Sequence, residues 1–103
     1  MTTAPSGSNQ QSWIAEVIVV PKPGVNDPQG EAIHGGIRSL GFTSVSSVRS
    51  GRFFRLNLTS TDEETATTEA HEMCERLLAN PVIETFSVSI RRAGSDTGTG
   101  GMR

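Results

Sequence analysis

FTSVSSVRSGRFFRLNLTS, residues 42–60, is the stretch on which the fold turns. Its halves carry β-branched and aromatic residues and flank Ser50-Gly51, a composition suited to a tight hairpin connection. The spacing predicts one strand over Phe42–Arg49 and another over Arg52–Ser60, with Phe54, Leu56 and Leu58 on one face of the latter.

Upstream, Asp27-Pro28 opens a helix: an Asp N-cap satisfies free backbone donors, and proline loses nothing at the first helical position. Ile33, Ile37 and Leu40 follow at helical spacing, and Gly41 supplies a left-handed stop. Before that helix, Ser12–Val20 (SWIAEVIVV) reads as a strand ended by Pro21-Lys22-Pro23-Gly24. Downstream, Thr61 and Glu64 have the spacing of a capping box. Ala66, Ala70, Met73 and Leu77 then form an apolar stripe, widened by Cys74 and Leu78. Asn80-Pro81 stops this second helix, and Glu84–Ile90 alternates as a final strand through Phe86, Val88 and Ile90.

The order βαββαβ predicts an α+β, ferredoxin-like two-layer sandwich: a four-stranded antiparallel sheet with two helices on one face. The first strand is apolar on both sides, with Trp13, Ala15, Val17 and Val19 on one and Ile14, Ile18 and Val20 on the other. Something should therefore cover the open face, and self-association through the sheet is the expectation. Gly35-Gly36, costly inside a helix, predicts close approach of another backbone from within the domain or from a neighbour.

All 23 Leu, Ile, Val and Phe residues of the 103-residue chain lie between Ile14 and Ile90. One domain over residues 12–91 follows, with disordered tails expected at 1–11 and 92–103. A net charge of −2 argues against a nucleic-acid binder, which needs a basic face. The single cysteine allows no internal disulfide and fits a reducing compartment. Val17–Val20, the longest aliphatic run, is far short of the roughly 20 residues of a membrane helix, and the N-terminal residues lack a signal peptide's basic start and apolar core. A cytoplasmic protein with neither nucleic acid nor membrane as partner is expected.

Candidate chemistry is sparse. His71 and Cys74 share a helix face and could form a metal pair or a thiolate–imidazole dyad, but Cys74 falls in the apolar stripe and no further ligand follows at zinc-like spacing. His34 reads as half-exposed structure. Six of the eleven acids lie between Asp62 and Glu75, on what reads as the solvated side of the second helix. Arg49, Arg52 and Arg55 cluster where no acid occurs from residue 32 to 61. They suit either an acidic partner or simple solubilisation of a hairpin. The loop PKPGVNDPQG (21–30) is stiff and lacks the glycine spacing of known nucleotide sites, so it could hold an anion or merely connect. With no tyrosine and no nucleophilic triad order, an enzyme working alone is poorly supported.

Four segments together resemble one family: KPGVNDPQG (Lys22–Gly30), LGF (Leu40–Phe42), VRSGR (Val48–Arg52) and LLANPVIE (Leu77–Glu84). They are similar to PurS, the small subunit of phosphoribosylformylglycinamidine synthase, over about Ile14–Ile90. The resemblance implies a non-catalytic adaptor joining a glutaminase subunit to an ATP-dependent synthetase subunit in purine synthesis. It implies that ATP, magnesium and glutamine are used by the complex rather than bound by this chain, and that the chain associates as a dimer or tetramer. The motif residues expected at partner interfaces are Lys22, Asp27, Gln29, Arg49, Arg52, Asn80 and Pro81. Two positions depart from the family pattern: Arg52 stands where lysine is common, and Gly36 adds a second glycine beside Gly35.

Other classes use the same fold. A regulatory module would bind a small effector in the loop before the first helix. An RNA-binding sheet would need more stacked aromatics than Phe53 and a basic surround. An acylphosphatase would need an arginine-bearing loop, for which VVPKPGVNDPQG has no counterpart.

Overall fold

Alternating burial places the first strand at the centre of the protein. In the computed structural model, which describes residues 10–94, β1 (Gln11–Pro21) lies between β2 (Arg52–Ser60) and β3 (Glu84–Arg92) in an antiparallel sheet of order β2-β1-β3. Val17 faces Phe54 on one side and Val88 on the other. The expected tails fall largely outside the described residues, although Gln11 and Arg92 belong to β1 and β3.

One face of β1 builds the core. Trp13 is 5% exposed and Ala15, Val17 and Val19 are fully buried. Each of the larger of these contributes about 1.5–3 kcal/mol by leaving water. The Trp13 indole N–H donates to the Ser60 carbonyl at 3.1 Å, so the ring reaches its depth without an unpaired polar group. Above this face lies α2 (Glu63–Met73), with Ala66 and Ala70 buried against the sheet. Its N-cap is Asp62, whose carboxylate accepts the Thr65 N–H at 2.7 Å, one position beyond the expected Thr61.

The stripe predicted for this helix is only partly correct. Cys74 is buried, but Met73 is 39% and Leu77 is 81% exposed. The cause is a π-helical turn, Cys74–Leu78, closed by the Ala79 N–H donating to the Cys74 carbonyl at 2.9 Å. One extra residue in that turn rotates Leu77 outward and brings Ala79 into the core beside Val17 and Val19.

The predicted hairpin does not form, which corrects the four-stranded sheet within one chain. Phe42–Arg49 belongs to no strand of the sheet. The tight two-residue hairpin turns need a left-handed residue, and among the described residues the glycines with positive φ are Gly24, Gly41 and Gly94, not Gly51. Gly51 instead lies against β1, where any Cβ would collide with the Val19 carbonyl oxygen. Residues 42–51 therefore run on from the start of β2, beyond the end of the sheet.

α1 (Pro28–Ser39) leaves with this segment. It starts as expected, with Asp27 as N-cap and Pro28 in the first turn, and Gly41 follows it at φ 100°. It does not lay its stripe on the sheet: Ile33 is 44% and Leu40 is 76% exposed. The two helices therefore do not share one sheet face within the chain. Among the described residues no atom lies within ordinary contact of the place a Cβ would take at Gly35 or Gly36, beyond their own helix, so no neighbouring backbone there explains that pair. The molecule is a sheet-and-helix body carrying a projecting arm made of α1 and residues 42–51.

Gly51→Ala is expected to lower stability by about 1–3 kcal/mol, because its methyl group meets backbone rather than a movable side chain. Urea unfolding followed by circular dichroism checks this, a lower midpoint with unchanged slope being the expected result.

Candidate partner interface

Antiparallel pairing brings the motif segments together. Because β1 ends where β2 and β3 begin, residues 21–30, 48–52 and 79–84 meet at one end of the sheet. Asp27 ties the first two. One carboxylate oxygen accepts the Gly30 N–H at 3.0 Å, and the other accepts the Ser50 N–H at 2.9 Å. The Ser50 and Gly30 N–H groups hold this carboxyl below its usual range, with Arg49 adding to the effect against a small desolvation penalty. Gly30 leaves room for the returning chain, since its Cβ would lie 2.6 Å from the Val48 carbonyl oxygen.

Arg52 ties the second segment to the third. Its guanidinium donates to both Glu84 carboxylate oxygens, at 3.1 and 3.0 Å, and to the Leu78 carbonyl at 3.0 Å. The planar fork makes this bidentate contact, which lysine could not reproduce. Glu84 also accepts the Asn80 N–H at 2.7 Å. The Asn80 side-chain oxygen accepts the Val82 N–H at 3.1 Å, and its carbonyl accepts the N–H groups of Ile83 and Glu84. The Lys22 N–H closes the assembly on the Ile83 carbonyl at 2.8 Å. Arg52 first, and the Asn80 N–H second, hold the Glu84 carboxyl below its ordinary range.

All seven motif residues thus lie at this end, in two roles. Asp27, Arg52 and Asn80 are spent on internal hydrogen bonds that shape the loops. Gln29, Arg49 and Pro81 are exposed, and Lys22 is half-buried. Two exposed apolar residues, Val82 at 78% and Ile83 at 42%, extend the surface. Glu84 was not among the expected site residues. Its signal was the acid that ends LLANPVIE, at the start of a strand that pairs with the end of β1, as Arg52 at the start of β2 does.

The arginine cluster is divided by the pleat. Arg55 points to the opposite sheet face, where it meets Glu16 at 3.0 Å and lies 5.5 Å from the Phe53 ring. Glu16 also approaches Arg91 at 3.6 Å. Ile18 and Phe53, each about half exposed, share that uncovered face. Cys74 is a core residue whose thiol is pushed up first by burial and then by Glu75. His71 stands on the helix surface, edge-on to Phe86 at 5.5 Å. Half-buried His34 lies with Nε2 2.8 Å from the Val45 carbonyl oxygen. Among the described residues no group of three or more His, Cys, Asp or Glu could hold a metal ion, and no helix is long and apolar enough to cross a membrane. Two surface hollows, one on the flank of α2 and one beside Trp13, are lined by no residue of the 21–30 loop that an effector pocket would use.

An α+β body of three strands and two helices, with its motif residues knitting three loops into a fixed surface, defines a small subunit-type module. The family model for PurS, described as phosphoribosylformylglycinamidine (FGAM) synthase, matches residues 14–92, and the chain belongs to that family. The PurS subunit of Archaeoglobus fulgidus is 45% identical over 75 residues, covering 73% of this chain and 94% of the relative. That of Synechocystis is 40% identical over 83 residues, covering 81% and 83%. Among solved structures, PurS of Methanocaldococcus jannaschii, one of the subunits of formylglycinamide ribonucleotide amidotransferase in the purine biosynthetic pathway, aligns with TM-score 0.68 and 34% identity over 77% of this chain and 95% of that one. A chain of PurLQS from Thermotoga maritima aligns with TM-score 0.70 and 30% identity over 79% and 96%.

Glu84→Gln is expected to lower stability at neutral pH. A carboxyl with a depressed folded pKa stabilises above its unfolded pKa and ceases to as pH falls through the folded one. The gap between wild type and variant should therefore be widest at neutral pH and shrink as acid protonates this lowered carboxyl in the folded protein, as read from urea midpoints across the acid range.

Proposed function

We propose that this chain is the non-catalytic adaptor of FGAM synthase, holding a glutaminase subunit against an ATP-dependent synthetase subunit in the cytoplasm. Ammonia freed from the glutamine amide must reach formylglycinamide ribonucleotide as the neutral base, because protonation in water removes its nucleophilic lone pair. Contact between the two active sites prevents that loss, and a rigid third subunit can fix their orientation. ATP, magnesium and glutamine belong to the partner subunits, and this chain contributes surface.

The observation that carries this reading is the hydrogen-bonded end of the sheet, where Asp27, Arg52 and Asn80 fix the loops that present Lys22, Gln29, Arg49 and Pro81. Similarity to a chain of the Thermotoga maritima PurLQS structure supports it. We further propose that the chain works as a dimer or tetramer, in which each half is completed to a four-stranded, ferredoxin-like sandwich.

The test measures FGAM formation by the two partner subunits with and without this chain, driven by glutamine or by free ammonia. The adaptor should raise only the glutamine-dependent rate. Reversal of charge at Lys22 and Arg49 together should weaken assembly about tenfold, the effect of roughly 1.4 kcal/mol, and leave the ammonia-dependent rate unchanged. A glutamine-dependent rate indifferent to the chain would refute the proposal.

A further inference from the structure

The loop cluster at the end of the sheet carries a surplus of positive charge. Its segments 21–30, 48–52 and 79–84 hold Lys22, Arg49 and Arg52 against Asp27 and Glu84, in a chain whose net charge is −2. Arg52 and Glu84 neutralise each other at 3.0 Å, and both Asp27 oxygens accept backbone N–H groups. Lys22 and Arg49 enter no ion pair among the described residues. They are the charges this end of the sheet offers to a neighbour.

The third segment adds an apolar side chain without cover. Val82 is 78% exposed, and of the exposed large apolar side chains among the described residues only Val82 and Ile83 belong to this cluster. A single exposed valine is ordinary on a protein surface. This one stands on a firmly held backbone. Pro81 fixes the φ angle of the residue before it. The Asn80 side-chain oxygen accepts the Val82 N–H at 3.1 Å, and the Asn80 carbonyl accepts the Ile83 and Glu84 N–H groups at 3.0 and 2.8 Å. The Lys22 N–H donates to the Ile83 carbonyl at 2.8 Å, which seats Lys22 beside the same loop. The Asn80 N–H donates to Glu84, which Arg52 grips with both arms of its fork. None of these bonds uses the Val82 side chain, so the loop keeps its shape without it and the side chain is available to a neighbour.

We propose that Val82 is the anchor of the adaptor surface: it enters an apolar pocket on a partner subunit, and carboxylates on the rim of that pocket meet Lys22 and Arg49. The proposal rests on the adaptor reading and specifies the chemistry of the surface that receives this chain. A few central side chains carry most of a docking interaction, and a β-branched residue on a loop already in place loses little freedom when it is buried. The flanking charges act mainly on orientation and encounter rate.

The experiment titrates the full chain into the two partner subunits and reads the concentration that half-saturates the glutamine-dependent rate, with the ammonia-dependent rate as control. Val82→Asp should raise that concentration at least about tenfold, by withdrawing the anchor and setting a carboxylate against an acidic rim. Val82→Lys should raise it less than Val82→Asp does, because such a rim accepts an ammonium. Val82→Thr keeps the β-branched shape and should still raise it about threefold, which isolates the loss of apolar contact. All three variants should unfold in urea at the wild-type midpoint, since the side chain is exposed and takes no part in the loop's hydrogen bonds.

A wild-type half-saturating concentration for Val82→Asp and Val82→Thr would overturn the anchor. So would a lowered urea midpoint in all three variants, which would make Val82 a part of the fold rather than of the docking surface. Weaker action by Val82→Lys than by Val82→Asp would overturn the acidic rim. If the wild-type chain leaves the glutamine-dependent rate unchanged, the adaptor reading fails and the anchor with it. If the wild type raises that rate and the variants match it, the anchor alone fails.

Discussion

The burial of one face of β1 is the constraint on which the rest depends. Trp13, Ala15, Val17 and Val19 have no accessible alternative, because β2 and β3 occupy both edges of their strand and α2 lies over them. The body is lean, with three fully buried side chains of any size, Val17, Val19 and Cys74. A core of that size gives little surplus over conformational entropy. Further apolar surface on the same chain is then a second reserve of stability, and most of it lies on the arm and on the flank of α2.

Much of the fold was legible because it rests on local chemistry. β2 was predicted with its observed limits, Arg52–Ser60, and the start of α1 followed from Asp27 and Pro28. The burial of Cys74 followed from its place on the apolar stripe. The failures occurred where longer-range geometry decides. Ser50-Gly51 has the composition of a turn, yet glycine is needed there for contact with the Val19 carbonyl, information that resides 32 residues away in no local pattern. Leu77 fits a regular helix and is turned outward by a single π-helical turn. The segments that carry the seven candidate residues meet at one sheet end, and strand register alone brings them there. Which of them hold the loops and which face outward depends on partners such as Ser50 and Glu84, and no spacing rule reveals those.

The loop cluster at the end of the sheet and the arm differ in kind. At the end of the sheet, charge-assisted hydrogen bonds fix three loops, and a fixed surface suits recognition with little entropy lost on binding. The arm is apolar along one side and poor in internal hydrogen bonds, which suits a neighbour that supplies both. Asp27 belongs to both regions: it shapes the loop cluster and clamps the base of the arm. On the opposite sheet face, Glu16 between Arg55 and Arg91 fixes register, because a slip of one residue would turn that carboxylate into the core.

The order of strands in the sheet also sets the order in which the protein can be made. β1 is synthesised first yet sits in the middle, and its two partners come from residues 52–60 and 84–92. Pairing at that sequence separation is slow to nucleate, since a long loop must close before any contact stabilises it. During synthesis, at roughly 5–20 residues per second, SWIAEVIVV waits several seconds for its last neighbour. The most apolar strand of the chain is thus the one left longest without cover. For a newborn copy, this places the main hazard before folding rather than after it.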